Sequence, residues 1–319
     1  MNLLRQILKR ESEQPKPEPH DETPAEPTSS LPPPTTSLRP SPHDIQIGLA
    51  SDPGRVRDHN EDACLAWQFV LAQQGEPPAP MGLFIMADGM GGQVLGEQAS
   101  ALATRTAAQY IIRHIALPQL SDDTTDRPPI HEVLSTSVRL AHRAIIHRYP
   151  EAGTTMTLAL MLGDNVYIGH VGDSRAYLGQ RGRIELLTTD HSLAARLLEL
   201  GQVTPEEAAQ QRNMLYRALG QGARVEPDIL DRALKPGQYL LLCCDGLWGT
   251  VSDADMTAII DAAPTPDLAC QKLVAQANQN GGEDNISAIL VARGWPLPAG
   301  RQPRPSEPVV YDSRLNNDV

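Results

Sequence analysis

Three times along this chain an apolar run and a carboxylate meet beside glycine, and that recurrence restricts the folds open to it. The first instance is Phe84-Ile85-Met86-Ala87-Asp88-Gly89-Met90-Gly91-Gly92. The run has the length and flanks of a buried strand, so Asp88 is expected at a strand end, where a sheet presents side chains to a ligand. Gly89, Gly91 and Gly92 carry no Cβ and let bare backbone approach that ligand closely. Asp245 ends the run Tyr239–Cys244 and meets Gly246, while Asp284 follows two glycines and opens the last strand. Asp173 adds an acid in the turn Gly172-Asp173-Ser174, and Glu61-Asp62 adds a pair after the first strand. Any one of these is common turn vocabulary. Several acids at strand edges, each with glycine near, point to one shared site.

Clustered carboxylates repel one another and must be neutralised by protons or cations. Oxygen-only ligands, without cysteine or a histidine cluster, favour magnesium or manganese over zinc. Two such ions about 4 Å apart can activate a bridging water and clamp a phosphoryl oxygen. Arg57 supplies a planar fork for two phosphate oxygens. By itself Arg57 reads equally well as half of a surface ion pair. From the residues alone, the class is metal-assisted hydrolysis of a phosphoester.

The rest of the chain supplies strands in neighbouring pairs. Strands are expected from Ile45, over Cys64–Leu71 and Met81–Ala87, then over Thr154–Leu162 and Val166–Val171 around a Gly163-Asp164-Asn165 turn. Further strands follow at Arg175–Leu178, Arg183–Leu187, Ile229–Leu234, Gln238–Cys244 and Ile286–Ala292. Helices are expected in two separate pairs, Gly96–Ile115 with Ile130–Arg148, and Asp253–Ala262 with Asp267–Gln279. His191 to Gln211 reads as a helical surface excursion, broken at Gly201 and restarted at Thr204-Pro205. Strict βαβ alternation is absent, so two packed sheets flanked by helices, an α+β fold, are expected instead.

Residues 1–43 are set apart. Residues 11–43 carry repeated prolines and acids with almost no apolar periodicity, and are expected to be disordered. Thr35, Thr36, Ser37 and Ser41 there are either phosphate acceptors or plain solvated linker. The first ten residues place Leu4, Ile7 and Leu8 on one face among basic residues, which either docks or frays. The ordered domain is expected over residues 44–293, with a mobile tail over 294–319.

The net charge of −12 argues against nucleic-acid binding through a global positive field. No stretch approaches the ~20 apolar residues of a membrane span, and the start lacks a secretory h-region. Cys64, Cys243, Cys244 and Cys270 show no zinc-ligand spacing and read as reduced core residues of a cytoplasmic protein.

Eight strings then occur in a fixed order: S-D-P-G-R-V-R-D-H-N-E-D, A-D-G-M-G-G, G-T-T, V-G-D-S-R-A-Y, T-T-D-H-S-L, L-Y-R-A-L-G, C-D-G-L-W and G-G-E-D-N. Together they resemble the bacterial metal-dependent protein phosphatases of the 2C type (PPM), from about Ile45 to Val291. The resemblance implies a four-layer α-β-β-α sandwich with two central, mostly antiparallel sheets and a metal cleft at one end. It implies a phosphoserine/phosphothreonine phosphatase opposing a bacterial-type kinase, with two Mn2+ or Mg2+ ions and a third, weaker one. Asp88 would bridge the two ions, the Gly89 carbonyl would bind one, and Asp245 and Asp284 would complete the pair. Glu61 and Asp62 would hold metal-bound waters, Arg57 would bind substrate phosphate, and Asp173 with Asp245 would take the third ion. Asn285 would orient Asp284, and His191 to Arg224 would form a variable flap beside the cleft.

Three positions depart from the family pattern. Met90 stands where eukaryotic relatives often carry a histidine proposed as general acid, so leaving-group protonation would pass to water. Gln93 replaces a histidine common in bacterial relatives, and Cys244 replaces the usual serine. Two other readings remain open: a phosphoprotein-binding module without turnover, and a hydrolase of small phosphoesters. The enzyme is expected to act as a monomer on phosphorylated proteins.

Overall fold

In the third strand Leu83 and Ile85 alternate with Phe84 and Met86, and all four are fully buried. A strand apolar on both faces needs cover on both sides, and that requirement sets the layering. The structure, a computed structural model, describes residues 45–71, 79–91, 93–120, 127–204 and 214–295. The expectations for the two termini, for Gln93 and for the restart at Pro205 concern residues or side chains outside those described.

The chain runs β1 (Ile45–Asp52), β2 (Asp62–Leu71), β3 (Ala79–Met90), α1 (Gln93–Ile111) and α2 (Ile130–Arg148). Five strands follow: β4 (Gly153–Thr154), β5 (Met156–Leu162), β6 (Asn165–Val171), β7 (Arg175–Gln180) and β8 (Arg183–Leu186). Then come α3 (Leu193–Glu199), β9 (Asp228–Ala233), β10 (Gln238–Cys243), the one-turn α4 (Asp245–Trp248), α5 (Asp253–Ala262), α6 (Pro266–Gln279) and β11 (Ile286–Arg293). One sheet has the order β1-β11-β10-β7-β8 and the other β2-β3-β5-β6-β9, with β4 paired to β3. All pairings are antiparallel.

Three cores correspond to the three interfaces of a four-layer sandwich. Between the sheets, Phe84, Met86, Met161 and Ile168 meet Leu240, Leu242, Ile289 and Val291. On the outer face of the second sheet, Leu83, Ile85 and Leu158 pack under α1 and α2. Ala99, Ala103 and Ala107 recur every fourth residue of α1, so a stripe without bulk lets that helix lie close to the strands. On the first sheet, Leu241 and Leu290 lie under Met256, Ile260 and Leu273 of α5 and α6. Each large apolar side chain so buried contributes roughly 1.5–3 kcal/mol. The helix starts follow from capping: Ser252 Oγ accepts the Asp255 N–H at 3.2 Å, and Thr265 Oγ1 accepts that of Leu268 with Pro266 in the first turn.

One expectation is corrected. Asp88 does not end its strand, because Gly89 and Met90 continue β3 by pairing with Thr154 and Gly153. The excursion after His191 is helical over Leu193–Glu199, and Gly201, at φ +64°, takes the left-handed turn that breaks it as expected.

Candidate active site

Antiparallel pairing decides which residues meet. The ends of β3, β6 and β10 and the starts of β2, β5, β7 and β11 all fall at one end of the sandwich. There a cleft of about 400 Å³ is walled by Asp88, Asp173, Asp245 and Asp284, with Glu61 and Arg57 also on its wall. Gly89 and Asn285 line it as well, and so does Met90. Acids far apart in sequence therefore converge.

Asp88 is held by its backbone. Its N–H donates to Thr155 Oγ1 at 2.9 Å, and its carbonyl accepts from Thr155 N and Thr154 Oγ1, each at 2.8 Å. Thr155 in turn shares a 2.7 Å hydrogen bond with Ser174 Oγ, next to Asp173. Those clamps explain why Thr155 falls out of the ladder between β4 and β5. Two glycines are required on contact grounds: a Cβ on Gly89 would stand 2.3 Å from the Gly96 carbonyl, and one on Gly246 2.0 Å from the Asn285 carbonyl.

Asn285 is the buried knot of the site. Its Nδ2 donates to the carbonyls of Pro53 (3.0 Å) and His59 (2.8 Å), and its Oδ1 accepts the Glu61 N–H at 2.8 Å. Its own N–H donates to Asp284 Oδ1 at 2.9 Å. One amide thus fixes the loop carrying Arg57 and Glu61 against Asp284. Cys244 does similar work one layer deeper, donating to the Asn285 carbonyl at 3.2 Å and accepting the Ser287 N–H at 3.0 Å. A serine could make the same two bonds.

Arg57 and Asp284, expected to serve phosphate and metal separately, here pair with each other at 2.9 Å. Their side chains are 55% and 40% exposed, so the pair contributes only ~0–1 kcal/mol and opens readily. Asp62 corrects the expectation that it faces the cleft. It pairs with Asp88 across β2 and β3, but neither carboxylate oxygen reaches solvent or finds a hydrogen-bond partner. Ser287 and Cys244 lie near enough to favour its charged form without completing a bond.

Electrostatically the cluster is under load. Burial, then the neighbouring acids, push Asp88 far above the usual carboxylate range. Burial first and Asp245 next raise Asp173 to about 8, and burial raises Asp62 to about 7. Asp245 is raised by burial and by Asp284, against a bond with Asp88 that lowers it. Glu61 is raised by burial. Among the described residues no three acid, histidine or cysteine side chains already stand closed around one point as a finished metal site.

The residues that sequence reasoning did not single out are Thr155, Ser174 and Ser287, which support the acids rather than join them. Thr155 and Ser174 were signalled only by the strings G-T-T and V-G-D-S-R-A-Y, read as family marks without roles, and Ser287 lies in none of the strings. Trp248 is another: its Nε1 donates to the Asp173 carbonyl at 3.0 Å while Arg175 stacks on its ring, 3.5 Å from the centroid.

Residues 56–288 match the family model described as Protein phosphatase 2C. The chain belongs to the protein phosphatase 2C family. The serine/threonine phosphatase stp of Listeria innocua is 36% identical to this PP2C chain over 246 residues, covering 76% of this chain and 94% of the relative. A solved S. agalactiae serine/threonine phosphatase superposes with a TM-score of 0.67 at 32% identity, covering 78% of this chain and 99% of that one. A PstP catalytic domain solved in complex with two manganese ions gives a TM-score of 0.62 at 30% identity, covering 78% and 97%. The four-layer sandwich is that of the PPM phosphatases. This PP2C-type chain is a metal-dependent serine/threonine protein phosphatase, a hydrolase acting on phosphorylated proteins.

Proposed function

We propose that the cleft holds two divalent cations, magnesium or manganese, through Asp88, Asp245, Asp284 and the Gly89 carbonyl, and hydrolyses phosphoserine and phosphothreonine there. The observation that carries this reading is the convergence of Asp88, Asp173, Asp245 and Asp284 on one cleft, with Asp245 Oδ1 buried and without a hydrogen-bond partner. Buried carboxylate oxygens without partners, in a cluster whose acids are driven up by one another, fit hard cations that take oxygen ligands. When bound, such ions supply an activated water and neutralise phosphoryl oxygens.

The protein's own groups do the rest. Asp88, at the centre of the cluster and held there by its backbone clamps, would be the ligand common to the ions. Asp173 with Asp245 would take a third, weaker ion. Glu61, partly buried on the wall, would orient water. Asp62 acts from behind, adding negative charge to Asp88. Arg57 leaves Asp284 when phosphate arrives and grips two phosphoryl oxygens with its fork. Met90 has no proton to give, so the leaving alkoxide takes one from water. Asn285 positions Asp284 without touching substrate.

The domain is proposed to span residues 44–293 and to work as a monomer in the cytoplasm, opposing a bacterial-type serine/threonine kinase. The bacterial phosphatases it is similar to support that setting. No helix among the described residues is long and apolar enough to cross a membrane. The deciding experiment is metal-dependent phosphate release from a phosphothreonine peptide and from small phosphoesters, with the Asp245→Asn variant alongside. Release that needs Mg2+ or Mn2+, prefers the peptide and vanishes in the variant supports the reading. Full activity in the variant overturns it.

A further inference from the structure

A second cavity, about 470 Å³, lies between α2 and the loop before β9. Its charge is the reverse of the first. Arg139 and Arg143 project from α2 four residues apart, on the same face of the helix, and Arg224 joins them from the loop. Only one carboxylate lines the cavity, Glu226, bound to Arg139 at 3.2 Å. Arg143 and Arg224 are exposed and form no ion pair among the described residues. Three guanidinium groups against one carboxylate leave two positive charges, gathered in one pocket of a chain whose net charge is −12. Like charges at this helical spacing destabilise each other, so the pocket is held at a cost that a bound anion would remove.

His142 lies on the cavity wall behind the arginines, and its residue is only 2% exposed. The Gly220 N–H donates to its Nδ1 at 3.1 Å, which leaves the proton of the neutral ring on Nε2, buried beside the Ala223 backbone. Burial lowers the ring's pKa, so the ring adds no charge to the pocket.

We propose that this cavity is a second phosphate site, binding a phosphomonoester or phosphate dianion through Arg139, Arg143 and Arg224. Forked guanidinium groups match phosphate oxygens, and two net positive charges match a dianion. The segment 215–226 joins the two sites: Leu215 lines the catalytic cleft, Leu219 pairs with Thr154, and Ala223 to Glu226 line the cavity. The dianion comes either from a second phosphorylated residue of the same protein substrate or from free phosphate.

Titration of the magnesium-loaded full chain with inorganic phosphate, followed by calorimetry, tests the site without relying on turnover. The wild type should bind two equivalents. Arg57→Ala should keep the cavity equivalent, and the double variant Arg143→Ala/Arg224→Ala should lose it or weaken it on the order of tenfold or more. Both substituted cavity residues are exposed, so an unchanged melting temperature will show that the fold survives. An isotherm unaltered by the double substitution overturns the proposal.

Kinetics with peptides carrying one or two phosphothreonines then identify the source. A lower KM for the doubly phosphorylated peptide, lost in the double variant at unchanged kcat, assigns the cavity to a substrate residue. Equal KM values, with phosphate inhibiting in part non-competitively in the wild type alone, assign it to free phosphate. Equal KM values with purely competitive inhibition overturn the site.

Discussion

The catalytic cleft and the arginine cavity stand at opposite ends of the segment 215–226 and are built in opposite ways. In the cleft, acids are set at strand ends, largely buried, and fixed through the backbone by Thr154, Thr155 and Asn285. In the cavity, the charges ride on long side chains from a helix face and a loop, and two of the three are exposed. The first arrangement is rigid and strained by its own charge, and needs cations to be complete. The second is adaptable and costs the fold little when empty. Preorganisation is expected where chemistry occurs, and adaptability where a site only binds.

The largest test of that contrast is Asp245→Asn. Turnover of a phosphothreonine peptide is expected to fall on the order of 10²-fold or more, because a cation ligand is lost. The metal-free variant should at the same time melt higher than the metal-free wild type, since one repelling charge has gone. A variant that loses activity by unfolding, with a lowered melting temperature, would contradict the picture of a self-repelling cluster.

Arg57→Ala should come next, lowering kcat/KM about 10- to 100-fold, the value of a charge-assisted bidentate contact with phosphate. Its melting temperature should scarcely move, because the pair it makes with Asp284 is exposed. Steady-state kinetics beside thermal melts separate the two quantities.

The pH dependence of stability should differ with metal. Asp62 and Asp173 hold their protons up to about 7 and about 8, against a usual value of 3.8. Between about pH 4 and 8 the folded chain therefore binds more protons than the unfolded one, and stability falls as pH rises through that window. In chelator, the melting temperature should climb as pH drops from 8 to 6; saturating Mg2+ should flatten or reverse the trend. A metal-free protein that is more stable at pH 8 than at pH 6 would break the account. Arg143→Ala/Arg224→Ala should leave the slope unchanged, since those groups stand outside the acid cluster.

Smaller effects should come from Cys244. Cys244→Ser keeps both hydrogen bonds and is expected to be near neutral. Cys244→Ala leaves the buried Ser287 N–H unpaired and should cost about 1–3 kcal/mol by denaturant unfolding. Smallest of all, the double arginine variant should leave kcat on a singly phosphorylated peptide unchanged and stability within about 0.5 kcal/mol.

Much of the cleft was legible because an apolar run that meets a carboxylate and glycine marks the rim of a sheet. The run before Asp245 stops there, whereas β3 runs on past Asp88 to Met90. Strands in neighbouring pairs, with helices in two separate pairs, were enough to suggest sheets packed between helices. Asp62 was misplaced because its carboxylate turns inward, a choice made by the space beside Ser287 and Cys244, residues more than 180 positions away. Thr155 was missed because its role is to accept one backbone N–H, and nothing local distinguishes that from a strand threonine. The arginine cavity was invisible for a similar reason. Arg139 and Arg143, four residues apart on one helix, show no site until Arg224, at the end of the flap, is folded beside them.

What the linear order of residues determined is the set of elements and the chemical character of their ends, since periodicity, capping and glycine act over a few positions. Which ends meet was decided only by the antiparallel order of the two sheets, which carries Asp62, Asp88, Asp173, Asp245 and Asp284 to one rim. The same long-range packing raises their proton affinity, because burial and mutual repulsion exist only once the chain has closed on itself.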